Sequence, residues 1–356
     1  LLGRRMAFGQ IAIAGILATL AYSGAAIGLA FAGFSYMSFA WASLISGFTG
    51  FVTLLIWRPD YAIYRFSLHD WRQVVHFGAA DSARNLLYYA LENLPLLVFG
   101  RTIGAAAVGL FQRATTLSAL PNATLLSGVT PVLLPAFANH ARSGRELKDA
   151  FLRSVALMTG LSWPATLGIV ILAYPIVLLV LGDQWLPVAP LVQIIGIAYL
   201  ASFTISVTNP ILIAAGGIRD TLKLALVTIP IMVSVQSIAS FWGLHAAAAS
   251  LILTLFFFST MAMLAVQRRA PFQWREMASV LGRSAGVAAC SASGPLLIAF
   301  ASGGAQTITI PVALVAVCVG VAGWVAGLAI FQHPMRDELQ RLLSKAQTAY
   351  AGPPSN

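Results

Sequence analysis

The feature that most constrains this chain is the way its cations alternate with its apolar runs. Eighteen of the 21 Lys and Arg residues lie beside or between hydrophobic stretches in alternate loops. The intervening loops, near Ser35, Arg101, Asp183, Gly243 and Gly303, contribute only Arg101. Cytoplasmic loops of multi-pass membrane proteins carry such an excess of Lys and Arg. The pattern therefore predicts a polytopic membrane protein and orients all of its spans together.

Ten apolar stretches follow one another, each of about 20 residues and long enough to cross a bilayer core of about 30 Å as a helix. The predicted spans are Ile11–Phe34, Tyr36–Trp57, Phe77–Phe99, Val108–Leu134, Phe151–Leu181, Ala189–Ala215, Leu222–Trp242, Leu244–Val266, Ser284–Phe300 and Ile310–Phe331. Because the cationic loops belong in the cytoplasm, ten spans place both ends of this chain there. The sequence thus predicts an all-α fold of membrane-spanning helices.

The composition excludes a soluble globular protein, because 59% of the residues are hydrophobic and 9% are charged, against about 25% charged in soluble domains. A net charge of +10 could indicate nucleic acid, but the cations are spread over six cytoplasmic segments instead of one element. We interpret them as topology determinants that contact anionic membrane lipids, and we expect no nucleic-acid partner. Cys290 and Cys318 lie inside predicted spans and the histidines lack metal-ligand spacing, so neither a disulfide framework nor a metal site is predicted.

Two longer cytoplasmic segments divide the spans into groups of two, six and two. In the first segment, Leu68, Trp71 and Val75 are three and four residues apart, which predicts an amphipathic helix on the membrane surface. The predicted regions are a first pair of spans at 1–57, this linker at 58–76, six spans at 77–267, a final pair at 284–331 and a cytoplasmic tail at 332–356.

The third predicted span, Phe77–Phe99, differs from the others because one of its faces is polar. Helical spacing brings a set of polar residues onto one stripe: Asp81, Arg84, Asn85, Tyr88 and Glu92. A charged side chain in mid-bilayer costs about 2.5 to 3.5 kcal/mol, so the stripe should face a wet cavity or a partner helix. Asp81 and Arg84 are three residues apart, and the alternative is that they simply neutralise each other.

Glu92 has no cationic neighbour at close spacing on its own helix, and its predicted partner is Arg113, near the outer end of the next span and beside Gln112. The two either face a central cavity or form a structural pair between helices. Arg suits phosphate because its planar fork donates two parallel hydrogen bonds. A carboxylate in such a cavity can carry a coupling proton or help to hold Na⁺. No P-loop occurs in the sequence, so nucleotide hydrolysis by that route is not expected.

Short motifs, in a constant order along the chain, carry a resemblance to a known family. The most specific is Gly109-Leu-Phe-Gln-Arg113-Ala-Thr-Thr-Leu-Ser-Ala-Leu-Pro121, continued by Pro131-Val-Leu-Leu-Pro-Ala-Phe137. The others are Phe99-Gly-Arg101-Thr-Ile-Gly104, Gly182-Asp-Gln-Trp185-Leu-Pro-Val-Ala-Pro190, and Leu212-Ile-Ala-Ala-Gly216 before Arg219-Asp220. Together they are similar to the polysaccharide transporter branch of the multidrug, oligosaccharidyl-lipid and polysaccharide exporter superfamily, the Wzx-like O-antigen and exopolysaccharide flippases.

The resemblance implies a fold of fourteen helices, with two six-helix lobes that face each other across a central cavity and an extra pair at the end. The groups of two, six and two would be helices five and six, seven to twelve, and thirteen and fourteen. The family's first four helices would then be absent from this chain. The resemblance also implies a transporter without enzymatic activity, with no cofactor apart from a coupling gradient of protons or Na⁺.

Members of this family resemble one another in moving undecaprenyl-pyrophosphate-linked oligosaccharides across the bacterial inner membrane by alternating access. The implied partners are this lipid-linked oligosaccharide and the machinery of polysaccharide polymerisation and export. Arg113 lies on the family's Arg, where the resemblance implies a contact with pyrophosphate. Pro95 stands where relatives often have Asp, so the acidic role of Glu92 depends on the polar stripe alone. A small-molecule exporter of the same superfamily, a lipid II flippase and a non-transporting remnant or scaffold are the alternatives.

Overall fold

The computed structural model describes residues 8–35, 37–57, 89, 93–142 and 147–340, which are helical apart from short connections and contain no β-strand. The chain divides into two compact units, Leu1–Ser82 and Ala83–Asn356. The predicted linker at 58–76 and most of the predicted span Phe77–Phe99 lie outside the described residues.

The described part of the first unit is a pair of helices, α1 (Phe8–Phe31) and α2 (Met37–Trp57), which pack against each other. The connection between them contains Gly33 with φ +86° and Ser35 with φ +48°. Ser46 in α2 donates a hydrogen bond of 2.9 Å to the carbonyl oxygen of Ala18 in α1. This bond joins the two helices near their middle.

The second unit holds ten described helices. They are α3 (described over 93–102), α4 (Ala105–Arg142), α5 (Leu147–Ile171), α6 (Ala173–Leu181), α7 (Ala189–Tyr199), α8 (Phe203–Ala214), α9 (Ile218–Ala239), α10 (Leu244–Gln267), α11 (Trp274–Ala301) and α12 (Ile310–Ile330). Short 3₁₀ turns occupy Asp183–Val188, Ser240–Trp242 and Ala305–Thr307. Helices α4, α5, α7, α8 and α10 pack together, α9 lies on α10, and α11 packs on both α5 and α12.

The two largest hydrophobic clusters of the described residues hold this unit together. The first joins α3, α4, α6, α7 and α10 through residues such as Phe99, Phe111 and Ile195. The second joins α4, α5, α8, α10 and α11 through residues such as Phe137 and Met277. Each cluster contains residues from both halves of the unit's sequence, so the packing joins residues that are far apart along the chain.

The helices suit a bilayer. Within the described residues, six helices are long and apolar enough to span a membrane, or seven if the bent pair α7–α8 forms one span. Their outward faces carry large apolar side chains such as Leu226 and Leu297, and helices satisfy their own backbone hydrogen bonds, which lipid requires. The chain is an all-α polytopic membrane protein, as its sequence predicts.

The span predicted at Phe151–Leu181 is interrupted in the structure, which divides it into α5 and α6 at Leu172. Pro175 follows in the first turn of α6, where its missing N–H removes no intrahelical hydrogen bond. Pro164, by contrast, lies inside α5, which continues past it.

The span predicted at Ala189–Ala215 is also interrupted. Helices α7 and α8 meet at a bend of 48°. At the bend, Ser202 Oγ donates to the carbonyl oxygen of Tyr199 at 2.6 Å and Thr204 Oγ1 donates to that of Ala201 at 3.1 Å. Hydroxyl groups thus satisfy carbonyls at the break, a role that hydropathy alone does not reveal.

Helix α11 begins at Trp274, well before the predicted start at Ser284. Gln273 and Glu276 form a capping box, in which each side chain bonds to the other residue's backbone N–H. The charged residues Arg275 and Arg283, which the sequence suggested as loop, therefore extend a helix beyond its apolar part.

Candidate functional site

The turn between α3 and α4 is built by the motif Phe99–Gly104. The backbone N–H groups of Ile103 and Gly104 donate to the carbonyl oxygen of Phe99 at 2.8 and 3.1 Å. Gly104 has φ +102°, a conformation that residues with a Cβ adopt at a cost. The turn brings the beginning of α4 back beside the end of α3.

A second motif, Gly182–Pro190, forms the 3₁₀ turn that leads into α7. Gly182 has φ +92°, and its carbonyl oxygen accepts the N–H of Trp185 at 3.0 Å. Val188 and Ala189 are fully buried in the same cluster as Phe99 and Phe111. This anchoring leaves the indole of Trp185 at the edge of the cluster.

The third motif, Gly109–Pro121 in α4, meets the other two. The rings of Phe99 and Phe111 pack edge to face with centroids 5.1 Å apart. Ser118 is buried and donates to the carbonyl oxygen of Val192 in α7 at 3.3 Å. Three motifs separated along the sequence therefore converge at one place in the fold.

Arg113 is exposed at this convergence, about two turns into α4. Its guanidinium carbon lies 5.7 Å from the centroid of the Trp185 ring, within the range of a cation–π contact worth about 0.5 to 1 kcal/mol at exposed sites. None of the ion pairs formed by described residues involves Arg113. We call Gln112, Arg113 and Trp185 the Arg113 site.

The Arg113 site lies at the end of the unit opposite its ion pairs. Thr102 in α3 donates to Ser240 Oγ, just after the C-terminal end of α9, at 3.0 Å. At the N-terminal end of α9, Asp220 accepts from Arg269 at 2.7 Å. These two contacts lie at opposite ends of α9. Since Thr102 belongs to the turn that leads into α4, the Arg113 site lies at the end of the unit that is predicted to face away from the cytoplasm.

Only part of the predicted site falls within the described residues. Arg113 and its neighbour Gln112 are both exposed. Five other predicted site residues lie outside the described ranges: Asp81, Arg84, Asn85, Tyr88 and Glu92. The polar stripe and the pairing of Glu92 with Arg113 therefore stay predictions. Trp185 was not predicted as a site residue, although its place in a family motif was a signal that could have indicated it.

Chemically, the Arg113 site offers hydrogen-bond donors that carry a fixed positive charge. The planar fork of the guanidinium matches phosphate oxygens. The indole face orients the cation without competing for its N–H groups. In the part of the chain that the structure describes, no cluster of His, Cys, Asp or Glu could hold a metal ion. The site suits recognition of an oxyanion.

A second polar feature lies at the other end of the unit, at the beginning of the segment predicted as the cytoplasmic tail. His333 is 1% exposed. Its Nε2 lies 3.1 Å from Ser284 Oγ, which lies 2.7 Å from Thr159 Oγ1. Because the N–H of Met335 donates to His333 Nδ1 at 3.2 Å, the proton of the neutral ring belongs on Nε2. These hydrogen bonds, made inside the protein, offset the cost of burying the polar ring.

These observations define a class: a multi-pass, all-α membrane protein whose motifs converge on an exposed arginine at one end of a helical unit. Residues 1–190, more than half of the chain, match the polysaccharide biosynthesis protein family, and the chain belongs to that family. The matched residues include Arg113 and Trp185 and end with the motif Gly182–Pro190. The match confirms the family indicated by the motifs.

Several curated proteins are similar to this chain. The lipopolysaccharide biosynthesis protein WzxC of Escherichia coli K12 is 30% identical over 162 residues, which are 46% of this chain and 32% of that protein. The teichuronic acid biosynthesis protein TuaB of Bacillus subtilis 168 is 25% identical over 160 residues, 45% of this chain and 32% of that protein. The succinoglycan biosynthesis transport protein ExoT of Rhizobium meliloti 1021 is 24% identical over 201 residues, 56% of this chain and 40% of that protein. The matched parts thus span less than half of these relatives.

Proposed function

We propose that this protein moves a lipid-linked oligosaccharide across the bacterial inner membrane by alternating access, as a transporter and not as an enzyme. The observation that carries the proposal is the Arg113 site. Its guanidinium is exposed, lies over Trp185, and takes part in none of the ion pairs of the described residues. A cation held in this way is suited to a phosphate-bearing carrier.

The names of the similar proteins support a shared carrier over a shared sugar. They refer to lipopolysaccharide, teichuronic acid and succinoglycan, which are three different polymers. A protein family that serves different polymers needs a recognition element common to their precursors. In this proposal the common element is the pyrophosphate of an undecaprenyl carrier, and Arg113 contacts it.

The orientation of the site agrees with this role. Arg113 lies opposite the end that carries Lys148, Glu276, Asp220 and Arg269 in ion pairs, and the distribution of cations predicts that this paired end faces the cytoplasm. Arg113 would meet the pyrophosphate on the outward-facing side of the transport cycle. Glu92 would then carry the coupling proton or help to hold Na⁺.

The test is complementation of a bacterium that lacks its own O-antigen flippase, with surface polysaccharide measured on blots. The chain is expressed as it stands and together with any coding sequence that lies upstream of it, and membrane levels are matched. In the form that restores export, Arg113→Ala should lower surface polysaccharide about tenfold or more because the charged fork is lost. Arg113→Lys should not recover it, since an ammonium cannot donate in fork geometry.

Arg101→Lys is the matched control, because Arg101 is exposed near the same turn without an aromatic partner among the described residues. It should keep export within about twofold. Glu92→Gln should abolish transport while membrane insertion is retained. Normal export in Arg113→Ala at an equal membrane level would contradict the assignment of the site. Failure of both wild-type forms to restore export would favour the small-molecule exporter or the scaffold.

A further inference from the structure

A cavity of about 400 Å³ opens between α5, α11 and the segment that follows α12. It lies at the end opposite the Arg113 site, where the ion pairs of the unit are found. Its polar lining consists of Gln273, Arg275, Glu276, Ser279, Arg283 and His333, which we call the Arg283 pocket. Leu152, Ala156 and Val280 form an apolar part of the wall.

The anionic and imidazole groups of the Arg283 pocket already have partners. Glu276 Oε1 accepts from Lys148 Nζ at 3.1 Å, and Glu276 Oε2 accepts from the N–H of Gln273 at 2.9 Å. His333 uses one ring nitrogen toward Ser284 and the other toward the N–H of Met335. The negative charge in the pocket is therefore neutralised, and His333 has no ring nitrogen left for a ligand.

The hydrogen-bond donors of the pocket, in contrast, are available to a ligand. Arg275 and Arg283 are exposed, and neither takes part in an ion pair with another described residue. The side-chain oxygen of Gln273 accepts the N–H of Glu276 in the capping box, so its amide NH₂ is available. Two guanidinium forks beside an amide and a hydroxyl make a site for an oxyanion with several hydrogen-bond acceptors.

We propose that the Arg283 pocket binds a phosphate group, which either a phospholipid headgroup or free phosphate can supply. The pocket is at the end of α5 and α11, both of which are long and apolar enough to span a membrane, so a headgroup would reach it at the bilayer surface. Arg275 and Arg283 lie about two turns apart on α11, and both line the cavity. The proposal is independent of transport, since it involves no residue of the Arg113 site.

The experiment uses the purified chain in detergent and two probes. Native mass spectrometry measures retention of phosphatidylglycerol offered together with phosphatidylcholine, and calorimetry measures binding of inorganic phosphate. The double variant Arg275→Gln and Arg283→Gln should lower binding of the responsive probe about tenfold, because two charge-assisted donors are lost. Arg268→Gln is the matched control, an exposed cation at the same end but outside the pocket, and should stay within about twofold.

If the double variant loses phosphatidylglycerol binding while Arg268→Gln keeps it, the result supports the pocket and identifies its ligand as a lipid headgroup. If the double variant loses binding of inorganic phosphate while Arg268→Gln keeps it, the result supports the pocket and identifies its ligand as a soluble one. The proposal is overturned if neither probe depends on the two arginines, or if Arg268→Gln lowers binding as much as the double variant. Thermal unfolding of each variant verifies the fold, which two exposed substitutions should leave intact.

Discussion

The helix pairs α1–α2 and α11–α12 are both apolar and rich in glycine, yet they use glycine differently. In the first pair, a Cβ built at four glycines meets nothing within 4 Å: Gly15, Gly24, Gly28 and Gly47. In the second pair, a Cβ built at five glycines would lie no farther than 3.1 Å from the facing helix or its end: Gly286, Gly294, Gly320, Gly323 and Gly327. Both pairs are in contact, so glycine content does not reveal whether the glycines themselves lie where two membrane helices meet.

The difference has a physical cause. Lipid tails are as apolar as leucine, so helices in a bilayer associate through close van der Waals packing, for which small residues are suited. The pair α11–α12 uses its glycines in this way and then attaches to α5, where Gly160 accommodates the ring of His333 and its carbonyl oxygen accepts from Trp324 Nε1 at 2.9 Å. The glycines of α1 and α2 make no such approach in the described part of the chain.

The largest expected effect is that of Gly323→Ala. The new methyl group would overlap the carbonyl oxygen of Cys290, and because backbone cannot move aside, α11 and α12 must separate. We expect a loss of about 3 kcal/mol or more in unfolding free energy. Gly28→Ala in α1 is the control and should be neutral or stabilising by about 0.5 to 1 kcal/mol. Unfolding in detergent measures both; equal effects would remove the distinction between the two pairs.

The next effect concerns the attachment of the second pair to α5. In Gly160→Ala the methyl group would overlap the His333 ring, which is buried and can shift only slightly, so we expect a loss of about 1 to 3 kcal/mol. Gly168→Ala, on the same helix with open space around it, should not destabilise. If thermal unfolding shows Gly160→Ala to be as stable as Gly168→Ala, His333 is not packed as described.

The free energy of unfolding should depend on pH through the same contact between α5 and His333. Burial, and secondarily the charge of Arg283, lower the pKa of His333 below its ordinary value of 6.5. The unfolded state then binds the proton more readily, so the stability present above pH 6.5 is lost as the pH falls toward the pKa of the folded state. Unfolding followed from about pH 7.5 to about pH 5.5 should show this decline in the wild type.

His333→Gln should reduce the decline, although it lowers stability at neutral pH by removing buried hydrogen bonds. Arg275, Glu276 and Arg283 also line this region, and they are retained in the variant, so they do not contribute to the difference. Parallel pH profiles for the two proteins would show that His333 is not the group responsible.

The smallest expected effect concerns one hydrogen bond between the two helices of each pair. Ser46 Oγ donates to Ala18 in the first pair and Ser291 Oγ donates to Gly320 in the second, both at 2.9 Å. Ser291→Ala should cost about 1 kcal/mol and Ser46→Ala less, because Ser291 is buried and its bond is shielded from competing partners. Chemical unfolding of the two variants provides the comparison, and a larger cost for Ser46→Ala would reverse it.

Much of the fold was predictable from local features of the sequence. Hydropathy and the distribution of Lys and Arg indicated membrane helices, and the motif around Arg113 indicated a functional position. The interruption at Leu172 and the bend between α7 and α8 were not predicted, because their apolar residues continue the hydrophobic pattern through each break. The early start of α11 at Trp274 was missed because charge was interpreted as loop.

The sequence by itself determined that this protein spans a membrane and which family it belongs to, because apolar length, charge asymmetry and motif order are properties of contiguous segments. Only the tertiary structure decided that Arg113 lies over Trp185, that His333 is buried beneath Gly160, and that Gly323 lies against the Cys290 carbonyl. Each of these joins residues far apart in the chain. Such contacts depend on how helices pack, and no local pattern in the sequence encodes that arrangement directly.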